Sequence, residues 1–134
     1  MTNLTTKQFG DACEHRIISE LLFAGIPTIK VPDGWRNYDL VSETPLGLSR
    51  ISVKGLRYGS GQQAGWWQFK PDGFDWLAAL RISEVNGDIA AYIVPREKAL
   101  ALSSGPDKEG NYRLRCNHEE LRRYRENFRL QNEP

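Results

Sequence analysis

The chain has 134 residues, 40% of them hydrophobic, and a formal net charge of +1. This length suits one compact core, so we expect residues 1–134 to form a single domain. It contains no apolar run of about eighteen residues and no charged-then-apolar N-terminal order, which argues against a membrane span and a secretory signal. Two cysteines are too few for a disulfide framework, so we expect a cytoplasmic protein with no membrane partner.

Positive charge is concentrated toward the C-terminus. Residues 1–49 hold four basic and six acidic side chains, whereas residues 50–134 hold fourteen basic and eleven acidic ones. Residues 113–129 contain six arginines and three glutamates. An arginine-weighted face of this kind would meet phosphates. A solvated surface with internal ion pairs explains the same pattern, and both interpretations remain open.

The first predicted element is a helix. Thr5 and Gln8 have the spacing of a capping box, which marks a helix start. Apolar residues then recur at helical spacing until Gly25 and Pro27, which end the run. The sequence therefore predicts a helix over about residues 6–24.

Three β-rich segments follow this helix. They are residues 26–31 (IPTIKV), 35–43 (WRNYDLVSE) and 48–55 (LSRISVKG), separated by turn residues. Together they predict a three-stranded meander. The glycine-rich residues 55–65 show little periodicity and predict a loop.

The second half of the chain predicts a further β-hairpin. Asn86-Gly87 is a type I′ turn signal between two strand-like segments, residues 74–85 and 88–95. Residues 76–82 would also suit a helix, but the turn signal favours a strand. The remaining predicted elements are a short helix over 96–102, an edge strand over 112–116 and a helix from Asn117 to about Leu130.

Three charged residues stand out within these elements. Glu14 lies on the flank of the apolar stripe of the first helix, Asp39 lies in the second predicted strand, and Lys54 ends the third. If the helix packs over the strand ends, two carboxylates and one amine converge, which suits Mg²⁺ or Mn²⁺ beside a scissile phosphate. Simpler interpretations remain: Glu14 pairs with Arg16 or Lys54, Asp39 caps a turn, and Lys54 reaches water.

The order of these residues resembles the PD-(D/E)XK nuclease superfamily, especially the small archaeal Holliday-junction resolvases and related short bacterial proteins. That family builds its site from an acid on the first helix, an aspartate on the second strand and an acid-x-lysine on the third. Glu14 of CEHR, Asp39 of NYDLV and Ser52-Val53-Lys54 of ISVKG follow this order. The resemblance covers about residues 6–94 and implies an α/β fold with a restriction-endonuclease-like core.

The resemblance also implies roles for these residues. Glu14, Asp39 and the Val53 carbonyl would bind Mg²⁺ or Mn²⁺, and Lys54 would orient the attacking water or stabilise charge on the phosphate. Ser52 stands where the family has an acid, so one negative charge is missing. Its hydroxyl would act as a neutral ligand or through a bridging water.

The implied function is a metal-dependent endonuclease acting on DNA, with two copies in a homodimer to cut both strands. The alternative is a catalytically degenerate nuclease-fold domain that binds nucleic acid or a protein partner without cleavage. A structural or regulatory module, with the glycine loop and tryptophans at a subunit interface, is a further rival.

Five residues are candidates for contacting the nucleic acid. Arg50, Arg57 and Lys70 would follow the phosphate backbone. Trp66 and Trp67 are adjacent, so in an extended segment their side chains point to opposite sides and only one belongs to the core. The other would stack on a base or sugar, cover its own loop or form a dimer contact.

Overall fold

The computed structural model describes residues 4–35, 37–59 and 65–134. Its elements in chain order are α1 (Thr6–Phe23), β1 (Thr28–Lys30), β2 (Leu40–Thr44), β3 (Gly47–Tyr58), β4 (Trp66–Phe69), β5 (Trp76–Ser83), β6 (Ile89–Pro95), α2 (Arg96–Leu102), β7 (Tyr112–Arg115) and a 3-10 helix (Glu119–Tyr124). The predicted α/β class and its order of helix, meander, hairpin and C-terminal helix are confirmed. None of the helices in these ranges has the length and apolar character needed to cross a bilayer.

Helix α1 begins at the predicted capping box. The Gln8 backbone N–H donates to Thr5 Oγ1 at 3.1 Å, and the Thr5 N–H donates to Gln8 Oε1 at 3.0 Å. The helix ends before Gly25, whose φ of 87° lies in the left-handed region that glycine tolerates.

The main sheet has five strands in the order β1-β2-β3-β5-β6. The three strands β1, β2 and β3 form the predicted antiparallel meander, with Leu40 opposite Ile51. Strands β5 and β6 form the predicted hairpin, whereas β3 and β5 run parallel. Because β3 is central, it has a hydrogen-bonded neighbour on each side.

Apolar side chains are buried on both faces of this sheet. On one face, Cys13, Ile17 and Leu21 of α1 form a core with Ile51 and Val53 of β3. On the other face lies a second core, formed by the sheet and the smaller elements that cover it. It includes Trp67, Leu77, Val94, Ala99, Leu114 and Leu121. Side chains that alternate along β3 therefore face either α1 or the second core.

Strands β4 and β7 form a separate two-stranded antiparallel ribbon over the second core. Trp66 lies opposite Arg115, and Gln68 lies opposite Arg113. The intervening residues Trp67 and Leu114 are buried. One face of the ribbon thus packs onto the protein and the other faces solvent.

Several predicted element boundaries were wrong. Asp39 was predicted within the second strand, but β2 begins at Leu40, so Asp39 precedes it. Residues 55–58 continue β3 and do not belong to a loop, since β5 pairs with β3 as far as Tyr58 opposite Ser83. Of the predicted loop, residues 60–64 lie outside the described residues. The C-terminal helix is only the 3-10 turn Glu119–Tyr124, because Glu126 and Leu130 adopt positive φ values of 54° and 53°.

Candidate active site

A cleft of about 280 Å³ lies between the first half of α1 and the segment that joins β1 to β2. Its lining includes both acids singled out in the sequence, Glu14 and Asp39. The cleft is strongly charged, with four carboxylates and two ammonium groups. These belong to Lys7, Asp11, Glu14, Lys30, Asp33 and Asp39.

Helix α1 reaches the cleft through a close contact with β3. A Cβ atom at Gly55 would lie 2.6 Å from Cys13 Sγ and 2.8 Å from a ring carbon of Phe9. A side chain at this position would displace the side chains of Cys13 and Phe9 or the helix that carries them. Glycine therefore lets α1 lie close to β3, and Glu14, the next residue after Cys13, is brought to the edge of that contact.

The Glu14 carboxyl is in an unfavourable environment for its charge. Its side chain is 17% exposed, and Oε1 is buried without a hydrogen-bond partner among the described residues. Burial raises the pKa of Glu14, the nearby Asp39 charge raises it further, and Lys30 opposes both effects. Since the Asp39 charge acts on it, the two predicted acids are electrostatic neighbours.

Asp39 immediately precedes β2 and is fixed against β3. Its Oδ2 accepts a hydrogen bond from the Val53 backbone N–H at 2.7 Å, and its own N–H donates to the Ile51 carbonyl at 2.8 Å. The carboxylate is thus held at the part of β3 that carries Ser52 and Lys54.

Lys30 is a residue of the cleft that the sequence analysis missed. Its Nζ lies 3.4 Å from Glu14 Oε1, 3.4 Å from Asp11 Oδ1 and 3.2 Å from Asp33 Oδ1. These carboxylates, Asp33 first, raise the pKa of Lys30 above its ordinary value. The sequence does indicate that Lys7, Asp11 and Glu14 share one side of α1, since they recur at intervals of four and three residues, but it does not indicate that Lys30 lies beside them.

Ser52 and Lys54 lie on the other face of β3. They alternate with Ile51 and Val53, which pack beneath α1, and their register partners in β5 are Leu77 and Ala79 of the second core. Neither residue is part of the cleft lining. The structure therefore brings Glu14 and Asp39 together in the cleft, whereas Lys54 lies outside the cleft lining. Lys54 is connected to the acids along the chain, because the preceding residue, Val53, donates its N–H to Asp39.

The donor set of the cleft can be compared with the needs of a metal ion. Within residues 4–35, 37–59 and 65–134, no three His, Cys, Asp or Glu side chains form a group that could hold one. Glu14 and Asp39 nevertheless offer carboxylate oxygens, which Mg²⁺ and Mn²⁺ prefer. Among the described residues, Glu14 Oε1 is buried without a hydrogen bond and has only the Lys30 ammonium beside it at 3.4 Å, so it is the atom whose environment a bound cation would most improve. The two residues fit a hard cation that keeps several waters.

The basic residues proposed to contact phosphates all have partners within the protein. Arg50 Nη2 lies 3.3 Å from Asp75 Oδ1, and the Arg57 guanidinium carbon lies 4.5 Å from the centre of the Phe9 ring on the α1 side. Lys70 donates to the Glu109 carbonyl. Their roles toward nucleic acid stay predictions.

The two adjacent tryptophans have different environments. Trp67 is 1% exposed, and its Nε1 donates to the Leu80 carbonyl at 2.8 Å. This corrects its prediction as a nucleic-acid contact, since the side chain is enclosed by the second core. Trp66 is 48% exposed on the opposite side of the strand.

Comparison with solved structures shows that the fold is nuclease-like. The bacterial homing endonuclease I-Ssp6803I aligns with a TM-score of 0.64 and 22% identity, over 94% of this chain and 90% of that protein. Hjc, a Holliday junction resolvase from Archaeoglobus fulgidus, aligns with a TM-score of 0.51 and 16% identity, over 84% of this chain and 86% of that protein. No family model and no curated protein sequence matches the chain.

Proposed function

We propose that this protein is an Mg²⁺- or Mn²⁺-dependent endonuclease of the PD-(D/E)XK type that hydrolyses phosphodiester bonds in DNA. The observation that carries the proposal is the pairing of Glu14 with Asp39 in one charged cleft of a nuclease-like fold. The two structures compared above are a homing endonuclease and a Holliday junction resolvase. Fold likeness alone does not give activity, and the two neighbouring carboxylates of the cleft supply the chemical basis for it.

Glu14 and Asp39 are the residues that would hold the metal, with the Val53 carbonyl as a third oxygen donor. The Val53 N–H fixes the Asp39 carboxylate in advance, which lowers the cost of ordering it on binding. A bound Mg²⁺ or Mn²⁺ would supply a Lewis acid and an activated water at neutral pH.

Lys54 would orient the water or stabilise negative charge on the phosphate, as an ammonium beside the reacting group does. Support comes from its position one residue after Val53, whose N–H binds Asp39. Ser52 shares the Lys54 face and is 5% exposed. Its proposed role is that of a neutral ligand, or of a group that acts through a bridging water, in place of the third acid. Two copies of the chain would be needed to cut both strands of a duplex.

A second function is a nuclease-fold domain that binds nucleic acid or a protein without cutting. Ser52 favours it, because the site lacks a third acid, and so does the absence of a three-acid metal group within the described ranges. Lys30 adds to this view, since its ammonium already neutralises part of the Glu14 charge.

Plasmid nicking with Mg²⁺ or Mn²⁺ distinguishes the two functions. We expect wild-type protein to convert supercoiled to open-circular DNA, and Glu14→Gln and Asp39→Asn to lose this activity. Titration with Mn²⁺ should raise the wild-type melting temperature, since a ligand that binds only the native state stabilises it. A wild-type protein that neither nicks nor gains stability with either metal would favour the binding domain.

A further inference from the structure

The solvent face of the β4–β7 ribbon carries basic, amide and aromatic side chains. It consists of Trp66, Gln68, Arg113 and Arg115, all exposed, in two directly opposed pairs. No acidic residue belongs to either strand. The ribbon therefore presents two guanidinium groups, an amide and an indole on one side.

The ribbon is firmly supported from below and from its sides. Trp67, Phe69 and Leu114 on its inner face are each at most 2% exposed. The Cys116 N–H donates to the Gly65 carbonyl at 2.9 Å, and Arg113 exchanges backbone hydrogen bonds of 2.9 and 3.0 Å with Ser104. A rigid support keeps the outer side chains in register and lowers the entropic cost of binding.

The outer side chains hold one another in an extended arrangement. The Arg113 guanidinium carbon lies 5.2 Å from the centre of the Trp66 ring, and Arg113 Nε donates to Gln68 Oε1 at 3.4 Å. Within the described ranges neither Arg113 nor Arg115 forms an ion pair with a carboxylate. Asp107 accepts hydrogen bonds from the Glu109 and Asn111 N–H groups, the latter being the main cause of its lowered pKa, and the Arg113 charge adds to this lowering.

We infer that this face enters the major groove of duplex DNA and reads base edges, with Arg113 and Arg115 on guanines and Gln68 on an adenine. The inference deepens the proposed function and rests on it for DNA as the substrate. The B-DNA major groove is about 12 Å wide and admits a two-stranded ribbon. Arginine recognises guanine O6 and N7 with two hydrogen bonds, and glutamine recognises adenine N6 and N7 in the same way.

The spacing of the ribbon matches the spacing of base pairs. Residues two apart on a strand are about 7 Å apart. Base pairs stack at about 3.4 Å, so this distance spans about two steps. Arg113 and Arg115 are two residues apart on β7, and we therefore expect their guanines to lie about two base pairs apart. Double-stranded RNA, with its deep and narrow major groove, should not be read by this face.

The test is selection of bound duplexes from a randomised DNA library in EDTA, followed by measured affinities for the selected and a scrambled duplex. We expect a preferred sequence. Arg113→Ala, Arg115→Ala and Gln68→Ala should each weaken binding to the selected duplex by about 5- to 100-fold, and binding to the scrambled duplex much less. Arg113→Lys should lose sequence preference while keeping the salt dependence, since it keeps the charge and loses the fork.

Arg129→Ala is the matched control. Arg129 is exposed on the segment whose Phe128 and Leu130 pack on the α1 side, and its loss should affect both duplexes equally. Three results would each overturn the inference: no duplex binding, no preferred sequence, or an unchanged preference in Arg113→Ala and Arg115→Ala. Tighter binding to double-stranded RNA than to DNA would do the same.

EDTA separates this inference from the proposed catalytic activity. Asp39→Asn should keep the sequence preference in EDTA, because Asp39 belongs to neither strand of the ribbon and the cleft lining contains no ribbon residue. A protein that reads DNA but never cuts it contradicts only the proposed hydrolysis. A protein that cuts, with a preference indifferent to the ribbon substitutions, contradicts only this inference.

Discussion

The Asp39 carboxylate accepts a 2.7 Å hydrogen bond from the Val53 backbone N–H. This contact joins the beginning of β2 to the middle of β3 and leaves Asp39 in the wall of the charged cleft. The same carboxylate is near enough to Glu14 to raise the pKa of that group. Asp39 therefore has two functions that experiments can separate: it ties two strands together, and it supplies negative charge to the cleft.

Replacing Asp39 tests the structural function first. Asp39→Ala should lower the free energy of unfolding by about 1–3 kcal/mol, because the Val53 N–H loses its acceptor. Asp39→Asn keeps a carbonyl oxygen at the same place and should cost less than about 1 kcal/mol. Urea unfolding at neutral pH measures both.

The second function of Asp39 is tested by metal. Both Asp39→Ala and Asp39→Asn should lose the Mn²⁺-dependent rise in melting temperature, although only the alanine variant is clearly destabilised. If Asp39→Asn keeps the wild-type response to Mn²⁺, the carboxylate is not a metal ligand.

Glu14 predicts a pH dependence of stability whose sign follows from its raised pKa. A raised carboxyl pKa means that the folded state binds the proton more tightly than the unfolded chain. Protonation of Glu14 therefore stabilises the folded state. This stabilisation is fully present below the unfolded pKa of about 4.3 and is lost as pH rises through the folded pKa. Without divalent metal, Glu14→Gln should therefore be more stable than wild type at neutral pH, with the difference disappearing in acid.

The control for this measurement is Glu43→Gln, at an exposed position of β2. It should leave the pH profile of stability close to wild type. A neutral-pH stability of Glu14→Gln below that of wild type would mean that the Lys30 ion pair outweighs burial and the Asp39 charge.

The parts of the fold that were predicted correctly are those encoded by local chemistry. Thr5 and Gln8 mark the start of α1, and the Asn86-Gly87 turn marks the β5–β6 hairpin. The predicted length of the C-terminal helix was wrong, because the conformation of this segment depends on contacts with residues distant in the sequence. Phe128 and Leu130 pack against the core beneath α1. The chain bends through positive φ values at Glu126 and Leu130 and does not continue as a helix.

The candidate site divides in the same way. Glu14 and Asp39 could be identified from the sequence because a single carboxylate beside apolar positions is costly to bury unless it is paired or binds a cation. Lys30 was missed because its three acidic partners come from α1 and from the segment after β1, which meet only in the folded chain. Alternation along β3 shows that Ser52 and Lys54 share a face, but no local pattern indicates which face α1 covers.

Lys30 provides a test of how much the cleft attracts metal. Its ammonium lies among the same carboxylates that a cation would use, so Lys30→Gln should tighten Mn²⁺ binding by up to about fivefold. Lys98→Gln is the matched control, since Lys98 pairs with Glu120 away from the cleft. Calorimetric titration measures both, and unchanged or weaker binding in Lys30→Gln would show that Lys30 does not compete with the metal.

The two tryptophans should differ sharply in their contribution to stability. Trp67→Ala removes a buried ring and leaves the Leu80 carbonyl without its donor, so it should cost about 3–5 kcal/mol. Trp66→Ala removes only an exposed ring beside Arg113 and should cost less than about 1 kcal/mol. Similar losses in the two variants would contradict the placement of Trp67 in the second core.

Replacing Lys54 tests catalysis separately from metal binding. Because Lys54 lies outside the cleft lining, Lys54→Ala should keep the Mn²⁺-dependent rise in melting temperature. Plasmid nicking should nevertheless fall by at least about a hundredfold, the loss typical of removing one group that stabilises transition-state charge. Lys108→Ala, at an exposed loop position, removes the same charge and should nick at the wild-type rate. Nicking by Lys54→Ala at the wild-type rate would exclude Lys54 from the reaction and leave Lys30, the lysine already beside Glu14, as the residue to test next.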